Sequence, residues 1–366
     1  MTPWITKSRV LSEAAGECEL HNSVGIAALS DATSAVVTET RNDNYVLELD
    51  YPVKGPMYSA LQIGAIIAAT GNQIDGLQPF RIEQIRCDSN KIAHVIARHS
   101  ILADMAHCSF AQFTVTGAAS AFGGLNSRMC GKPAIKCATS GINDDGINRT
   151  IGNKYEPAIN ALREIVDIYG GELGCNGKTI TLYASRGKDR GARVVYGSNM
   201  ISGTFTWSAS SAQGKIMPYY YDQKIWRDGS LITTGMTDVP FNTYIEAIDV
   251  TDYIDTTGGA NPTEDDVTAA GRLWLANHPG YGLASVNCKV SFAPSLQAEK
   301  IGLCDTVTVM HNGLGVSVSS IVSKTVWNVL LDRYDSVEIG TPSETPAKII
   351  NKVKTAPVEY INVTPA

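Results

Sequence analysis

Apolar and polar residues alternate with a period of two along several short segments of this chain. The clearest segment is residues 33–51, where Tyr45, Leu47, Leu49 and Tyr51 point one way and the residues between them point the other. Turn-forming residues separate the two halves of this segment. The pattern predicts a half-buried β-hairpin.

Other short strands are predicted at regular intervals, separated by Gly, Asn and Asp turns: 63–69, 79–88, 91–97, 178–184, 194–196, 204–209, 215–221, 305–310, 316–324 and 326–331. Helical periodicity is clear in two places. It predicts one helix over 155–169, ended by two glycines, and a second helix that begins after Thr263 and stops at 278–280. The predicted fold class is mainly β with α+β insertions.

Composition narrows the class of protein. The hydrophobic fraction of 44% indicates a folded chain, and the net charge of −6 gives no strong positive field for nucleic acid or anionic lipid. The most apolar stretch, 61–69, is too short to cross a membrane, and the first ten residues do not form a signal peptide. The 8 cysteines lie far apart, so we expect small buried thiols in a protein made in a reducing cytosol.

The usual catalytic and ligand-binding motifs are not evident. Gly177-Lys178-Thr179 lacks the spacing of a phosphate loop and runs from helix into strand, which favours a hairpin turn. His94, His99 and His107 are not expected to share a face. The spacing of Asp249, Asp252 and Asp255 matches no calcium loop. The sequence therefore predicts no catalytic residue, no cofactor and no metal.

One basic concentration stands out, formed by Arg186, Lys188, Arg190 and Arg193. It could contact phosphate or nucleic acid, but it holds no aromatic residue for base stacking and Asp189 dilutes its charge. The favoured hypothesis is a surface turn that pairs with acidic residues across an interface. These four residues are the candidate interface or lumen residues.

Several segments, taken in order, resemble the phage-tail family known as prophage endopeptidase tail. They are ALSDATSAVVTETRNDNYVLELDYPV (28–53), QPFRIEQIR (78–86), HVIARHSILADM (94–105), the helix 155–169, ASRGKDRGARVVYG (184–197) and the segment 303–340. The family resemblance covers about residues 28 to 340. It implies a structural tail hub similar to the baseplate hubs of contractile tails and to the N-terminal part of tail-associated lysins.

In such hubs, three copies that each carry two tube-like β-barrel domains form a pseudo-sixfold ring. The expected partners are therefore a second and third copy of the chain, the tail tube or distal tail protein, and a tip, spike, fibre or lysin protein. DNA only passes through the lumen, no stable membrane insertion is expected, and the location is the virion tail after synthesis in the host cytoplasm. The expected domains are a first barrel (1–98 with about 200–238), a mixed α/β domain (99–199), a second barrel (239–261 with 296–340), a helical insert (262–295) and a C-terminal tail (341–366).

The longer relatives carry a wall-degrading module after this region, whereas this chain has 366 residues. We therefore expect a hub without lytic activity. Two alternatives remain. The first is a cell-wall hydrolase in the 99–200 region that would use His99 or Asp104. The second is a module that binds glycans through Tyr219, Tyr220 and Tyr221, although strand alternation puts neighbouring tyrosines on opposite faces.

Overall fold

The computed structural model describes residues 2–6, 25–131, 135–208, 212–222, 225–238, 240–256, 261–283, 285–292 and 300–340. The predicted tail 341–366 and Cys18 lie outside the described residues. Across the described ranges, the helices are too short or too polar to cross a membrane.

The first part of the chain is almost entirely β. It forms β1 (Trp4–Thr6), β2 (Gly25–Ala28), β3 (Ser34–Thr40), β4 (Tyr45–Pro52), β5 (Ile66–Thr70), β6 (Leu77–Cys87) and β7 (Ile92–His99). The predicted hairpin is confirmed, because β3 pairs antiparallel with β4 and Tyr45, Leu47, Leu49 and Tyr51 are all buried.

The middle part mixes helices with short strands. It forms α1 (Ser100–His107), β8 (Ser109–Phe110), β9 (Phe113–Thr116), α2 (Ala118–Arg128), β10 (Lys136–Ser140), β11 (Asn148–Ile151), β12 (Glu156–Pro157), α3 (Ala158–Tyr169), β13 (Glu172–Asn176) and β14 (Thr179–Tyr183). Helix α3 begins at Ala158 rather than at 155, because Tyr155 has a φ of 124° that a helix cannot contain.

The remaining strands are β15 (Asp189–Val195), β16 (Met200–Ser208), β17 (Lys215–Asp222), β18 (Ile225–Asp228), β19 (Ile232–Thr233) and β20 (Ile245–Asp249). They are followed by α4 (Glu264–Asn277), β21 (Ser285–Phe292), β22 (Thr306–His311), β23 (Val316–Asn328) and β24 (Arg333–Ile339). Short 3-10 turns lie at Tyr58–Ala60, Phe241–Thr243, Thr251–Tyr253 and Asn312–Leu314. The two strands predicted at 316–324 and 326–331 are one continuous strand, β23.

Strands from both ends of the chain share one sheet. Within the described ranges this sheet has 13 strands in the order β16-β21-β24-β23-β3-β4-β7-β6-β5-β1-β2, with β22 also paired to β23 and β15 paired to β22. The junction is the antiparallel pairing of β23 with β3, where Trp327 lies opposite Val37 and both are buried. The mainly β fold class is confirmed, whereas the division into domains stays a prediction.

Residues 212–282 build a smaller unit, which we call the acidic subdomain. A 4-stranded sheet of β17, β18, β19 and β20 packs against α4. Its separate core contains Tyr220, Val250, Tyr253, Val267 and Ala270. The predicted start of α4 is confirmed, because Thr263 and Asp266 form a reciprocal capping box there.

The cysteine expectation is only partly correct. Cys175, Cys288 and Cys304 are buried, but Cys87 and Cys130 are exposed. Cys87 is the last residue of β6, beyond the buried part of that strand. The exposure of Cys87 therefore follows from its position at the end of the strand.

Candidate functional site

The four basic residues selected from the sequence differ in their surroundings. The side chain of Arg186 is only 11% exposed, whereas Lys188, Arg190 and Arg193 are exposed on or beside β15. Arg190 Nε donates to Oδ2 of Asp305 at 2.8 Å, and the backbone N–H of Lys188 donates to Oδ1 of the same carboxylate at 2.8 Å. The group thus divides into one internal arginine and three surface cations.

Arg186 lies between two carboxylates from distant parts of the chain. Its Nη1 donates to Oε1 of Glu39 on β3 at 2.7 Å and to the Leu173 carbonyl at 3.0 Å. Its Nη2 donates to Oδ2 of Asp75 at 2.9 Å. Glu39 is buried, so this guanidinium and its partners join the main sheet to β13 in a region of low dielectric.

Gln78 continues the same junction. Its Oε1 accepts a hydrogen bond from the Gly177 N–H at 3.0 Å and lies 3.3 Å from Nε2 of His99. The His99 ring is stacked on Tyr45 with centroids 5.1 Å apart. Burial, assisted by the charge of Arg186, lowers the pKa of His99 to about 3, so the ring is neutral at pH 7.

The turn of the first hairpin is held against the connection between α3 and β13. Asn42 Nδ2 donates to the Gly171 carbonyl at 2.8 Å, and Asn42 Oδ1 accepts from the Leu173 N–H at 2.8 Å. Arg41 Nε lies 3.1 Å from Oε1 of Glu172. Together with Arg186, these contacts fix the main sheet relative to the mixed α/β part.

A second arginine, Arg149, links the mixed part to the acidic subdomain. Its Nη1 and Nη2 donate to the two oxygens of Asp145 at 2.8 and 2.7 Å, and its Nε donates to the Asp252 carbonyl. The guanidinium also lies over the rings of Tyr169 and Tyr253, 5.0 and 5.5 Å from their centroids. It is therefore held by charge and by ring contacts on both sides of this boundary.

The acidic subdomain also caps α3. Tyr253 Oη donates to the carbonyls of Asp167 and Ile168 at 3.1 and 2.8 Å, and Asn277 Nδ2 donates to the Ile168 carbonyl at 2.8 Å. Carbonyls in the last turn of a helix have no partner within it. The end of α3 is therefore completed by side chains from a different part of the chain.

The residues that a hydrolase would use take part in structural contacts. His99 belongs to the Gln78 junction described above. Asp104 accepts hydrogen bonds from Nε and Nη2 of Arg81 at 2.9 and 3.2 Å. Gly177 has a φ of 57° in the turn between β13 and β14, which is the hairpin turn predicted there.

The other histidines lie in separate surroundings. His94 Nδ1 is 2.6 Å from Oδ1 of Asp50, and its Nε2 is 3.4 Å from Oδ2 of Asp88. His107 is exposed, with Nε2 3.5 Å from Oε1 of Glu83. Among the residues that the structure describes, no three His, Cys, Asp or Glu side chains are placed to hold a metal ion.

One face of the four-stranded sheet in the acidic subdomain is exposed. The opposite face packs on α4, where the close approach of Gly271 to Pro218 leaves no room for a Cβ at residue 271. On the exposed side, the strand register aligns Tyr221 with Trp226, and Tyr219 with both Asp228 and Asp249. We call this surface the open face; its residues are Lys215, Met217, Tyr219, Tyr221, Trp226, Asp228, Ile245, Ala247 and Asp249.

The aromatic centre of the open face lies where β17 pairs with β18. Trp226 and Tyr221 are 57% and 47% exposed there, whereas Ile245, 51% exposed, lies beside Lys215 at the other end of β17. The Trp226 ring is parallel to Tyr219 with centroids 4.7 Å apart, and Tyr221 is tilted by 54° at 5.6 Å. One side of the indole is therefore covered and the three rings do not form a flat platform, which argues against sugar stacking.

The sequence predicted acidic partners for the basic group, but it did not identify Glu39 and Asp75 as the partners of Arg186, and it gave no sign of the Arg149 contacts. One signal was present for Glu39, which has the same parity as the buried residues Ala35 and Val37 on β3. A carboxylate on a buried strand face requires a partner. The sequence did not show that Arg186 is that partner, because 147 positions separate the two residues.

Comparison by sequence alone finds no relative: no protein-family model matches the chain, and no curated protein matches it. Comparison of structures does find similar proteins. A prophage tail protein, gp18 from Listeria monocytogenes EGD-e, superposes with a TM-score of 0.57 over 90% of this chain and 94% of its own, at 13% identity. The tail protein from Neisseria meningitidis MC58 superposes with a TM-score of 0.60 over 93% of this chain and 97% of its own, at 10% identity.

The 43 kDa tail protein of prophage MuSo2 from Shewanella oneidensis gives a TM-score of 0.57 over 84% of this chain and 93% of its own, at 12% identity. The chain has the fold of prophage tail proteins. The likeness extends over nearly the whole of each chain, so the prophage tail fold includes the main sheet, the mixed part and the acidic subdomain together. The family resemblance inferred from the ordered segments is thus confirmed at the level of fold.

Proposed function

We propose that this chain is a structural hub subunit in the tail or baseplate of a bacteriophage or a phage-derived particle. The observation that carries the proposal is the prophage tail fold, shared over 90% or more of this chain with two tail proteins. A hub must hold its interfaces in fixed relative positions. The Arg186 and Arg149 contacts supply that rigidity, because each joins parts that are distant in the sequence.

Three copies form a pseudo-sixfold ring in this proposal. The junction of β23 with β3 divides the described main sheet into 7 strands from the β3 side and 6 strands from the β23 side. Each copy would then contain two groups of strands of nearly equal size. A ring of three copies would therefore contain six similar units. Such a ring meets a sixfold tail tube or distal tail ring on one side and a threefold tip on the other.

In this proposal the ring joins other tail proteins and leaves a central opening for DNA, and it has no enzymatic role. The tip, spike, fibre or lysin belongs to a separate chain, and DNA passes the lumen without a stable contact. The protein is made in the host cytoplasm and functions in the virion tail.

The mass of the purified full chain tests the assembly. Three copies of the 39.1 kDa chain give about 117 kDa by native mass spectrometry, and negative-stain images should show a ring with a central opening. A monomer at all concentrations up to the highest soluble one would overturn the ring. Antibody labelling of particles should mark the tail end, and label on the capsid would overturn the location.

A peptidoglycan gel assay tests the hydrolase alternative. The hub proposal expects no clearing by the purified chain. Clearing that is lost in Asp104→Asn would favour the alternative and overturn the non-enzymatic role. Because Asp104 holds Arg81, the circular dichroism and thermal midpoint of this variant are measured beside its activity.

A further inference from the structure

The whole net charge of the chain is concentrated in one part of it. Residues 212–278 contain four Lys or Arg and ten Asp or Glu, a net charge of −6, which equals the net charge of the 366-residue chain. The remainder of the chain is therefore neutral. The open face is the exposed sheet surface within this acidic part.

Two carboxylates flank the aromatic centre of the open face. Asp228 Oδ1 accepts from Trp226 Nε1 at 2.6 Å, and Asp249 Oδ1 accepts from the Thr251 N–H at 2.9 Å. Burial and the charge of Asp249 raise the pKa of Tyr219, which agrees with the carboxylate lying next to that ring. Aromatic rings with carboxylates beside them are the surroundings that a guanidinium or ammonium group prefers.

A surface with those cations is present on the same chain. Strand β15 pairs with β22, and the sheet path of the described residues gives it no partner on its other side. Lys188, Arg190 and Arg193 are exposed there, with the Arg190 side chain 37% exposed beside Asp305. We call Lys188, Arg190 and Arg193 the basic edge. An edge strand with cations is protected from indiscriminate pairing, but it remains available to a matching acidic surface.

We propose that the open face of one copy binds the basic edge of the next copy around the ring. This inference rests on the proposed trimer and names the surfaces that close it. The contact is head-to-tail, so each copy contributes one open face and one basic edge, and three copies satisfy every such contact. It would bury Trp226 and Tyr221, which are otherwise exposed aromatic side chains in contact with each other.

A second copy fits better than the other occupants. A twofold contact of the open face with itself would offer its two carboxylates, Asp228 and Asp249, only the single cation Lys215, whereas the basic edge offers three cations. A neutral glycan lacks the positive charge that would pair with Asp228 and Asp249, and the tilt of 54° between Tyr221 and Trp226 leaves no flat aromatic platform for it. Because the basic edge and the open face belong to the same chain, every assembly contains equal numbers of the two surfaces.

Charge reversal tests the pairing with the full chain. Asp228→Lys with Asp249→Lys makes the open face basic, and Lys188→Glu with Arg193→Glu makes the basic edge acidic. Each double variant should raise the dissociation constant for trimer formation at least tenfold, measured by sedimentation velocity over a dilution series at about 50 mM and 300 mM salt. The loss should be larger at low salt, where charges are less screened.

The quadruple variant is the decisive measurement. It reverses both surfaces at once, restores attraction at every contact and should recover trimer formation to within about threefold of the wild type. A 1:1 mixture of the two double variants should recover less. An odd-membered ring built from two kinds of subunit keeps at least one contact between two subunits of the same kind, and that contact is repulsive. No recovery in the quadruple variant would overturn the pairing.

A matched control separates this contact from a general effect of charge. Asp238→Lys with Asp265→Lys makes the same charge change on exposed residues of the acidic subdomain outside the open face, and should leave the dissociation constant within about twofold. Circular dichroism verifies folding of each variant. Trp226 should also become protected from hydroxyl-radical oxidation in the wild-type trimer.

The outcomes distinguish the two proposals. A wild-type chain that never forms a trimer overturns the proposed ring. A wild-type trimer whose dissociation constant is unchanged by both double variants leaves the ring intact and overturns this pairing. The pairing is also overturned if the control variant and the open-face variant raise the dissociation constant of the trimer by the same factor.

Discussion

Arg186 Nη1 lies 2.7 Å from Oε1 of Glu39, although 147 positions separate these residues in the sequence. Only 11% of the arginine side chain and 4% of the glutamate side chain are exposed. A buried ion pair of this kind is costly to form, but removal of one member leaves the other charge without compensation. The pair therefore makes the relative position of the main sheet and β13 sensitive to single substitutions.

Arg186→Met should lower the free energy of unfolding by about 3–5 kcal/mol, because Glu39 then remains buried without its cation. Chemical denaturation followed by tryptophan fluorescence measures this loss. Arg186→Met combined with Glu39→Gln should recover part of it. Arg163→Met is the control, since that side chain is 44% exposed and 3.5 Å from Asp43, and it should cost less than about 1 kcal/mol.

Tyr253→Phe should loosen the attachment of the acidic subdomain to α3. The variant removes the hydroxyl that donates to the Asp167 and Ile168 carbonyls, at a cost of about 1–2 kcal/mol. Hydrogen exchange should quicken at the end of α3 and in α4 but not in β3 or β4. Tyr244→Phe, at a tyrosine that is 50% exposed, should change nothing measurable.

His99→Phe should reduce the acid sensitivity of the fold. The folded pKa of about 3 lies below the ordinary value of 6.5, so the unfolded chain binds a proton that the folded chain does not. Stability is therefore full above about pH 6.5 and falls as the pH drops, by about 2 kcal/mol at pH 5. Phe keeps the stacking position on Tyr45 without a titrating group. Equal slopes of stability against pH for both proteins would contradict this.

Glu164→Gln should remove a loss of stability that occurs as the pH rises, which is the reverse of the pH dependence caused by His99. Burial raises the pKa of Glu164 to about 7, and the charges of Asp252, Glu156 and Asp167 add to the effect. The folded chain then binds more protons than the unfolded chain between about pH 4.5 and 7, so the wild type loses stability as pH rises through that window.

Glutamine avoids that loss and keeps an oxygen for the Gly152 N–H, which donates to Glu164 at 2.9 Å. The variant should gain about 1–2 kcal/mol over the wild type at pH 8 after allowance for partial solvent exposure, and little at pH 4.5. Urea denaturation at the two pH values measures the difference. A gain of the same size at both values would show that the carboxylate does not titrate as described.

The local elements were predictable where the residue pattern is regular. Between Tyr45 and Tyr51, apolar and polar residues alternate in the sequence, and buried and more exposed side chains alternate in the same way in the structure. Thr263 and the acidic residues that follow it mark the start of α4. Strand positions were recognised for the same reason. The helix boundary at Tyr155 failed because periodicity does not report a positive φ.

Long-range partners were not predictable. The run around Arg186 has the glycines of a surface turn, and its composition is the same whether the arginine faces solvent or Glu39. The pairing of β23 with β3 decides which carboxylates reach it, and local pattern contains no information on strand order. The open face is intermediate, since alternation separates Tyr219 and Tyr221 from Tyr220 but does not locate Trp226 opposite them.

The position of β23 has a consequence for biosynthesis. The pairing of β3 with β23 cannot form until Trp327, the residue opposite Val37, has been synthesised about 290 residues later. At bacterial translation rates of about 5–20 residues per second, that interval is about 15 to 60 s. During it, the nascent hairpin presents an uncovered strand to other emerging chains, so slower translation lengthens the exposure and favours aggregation before release.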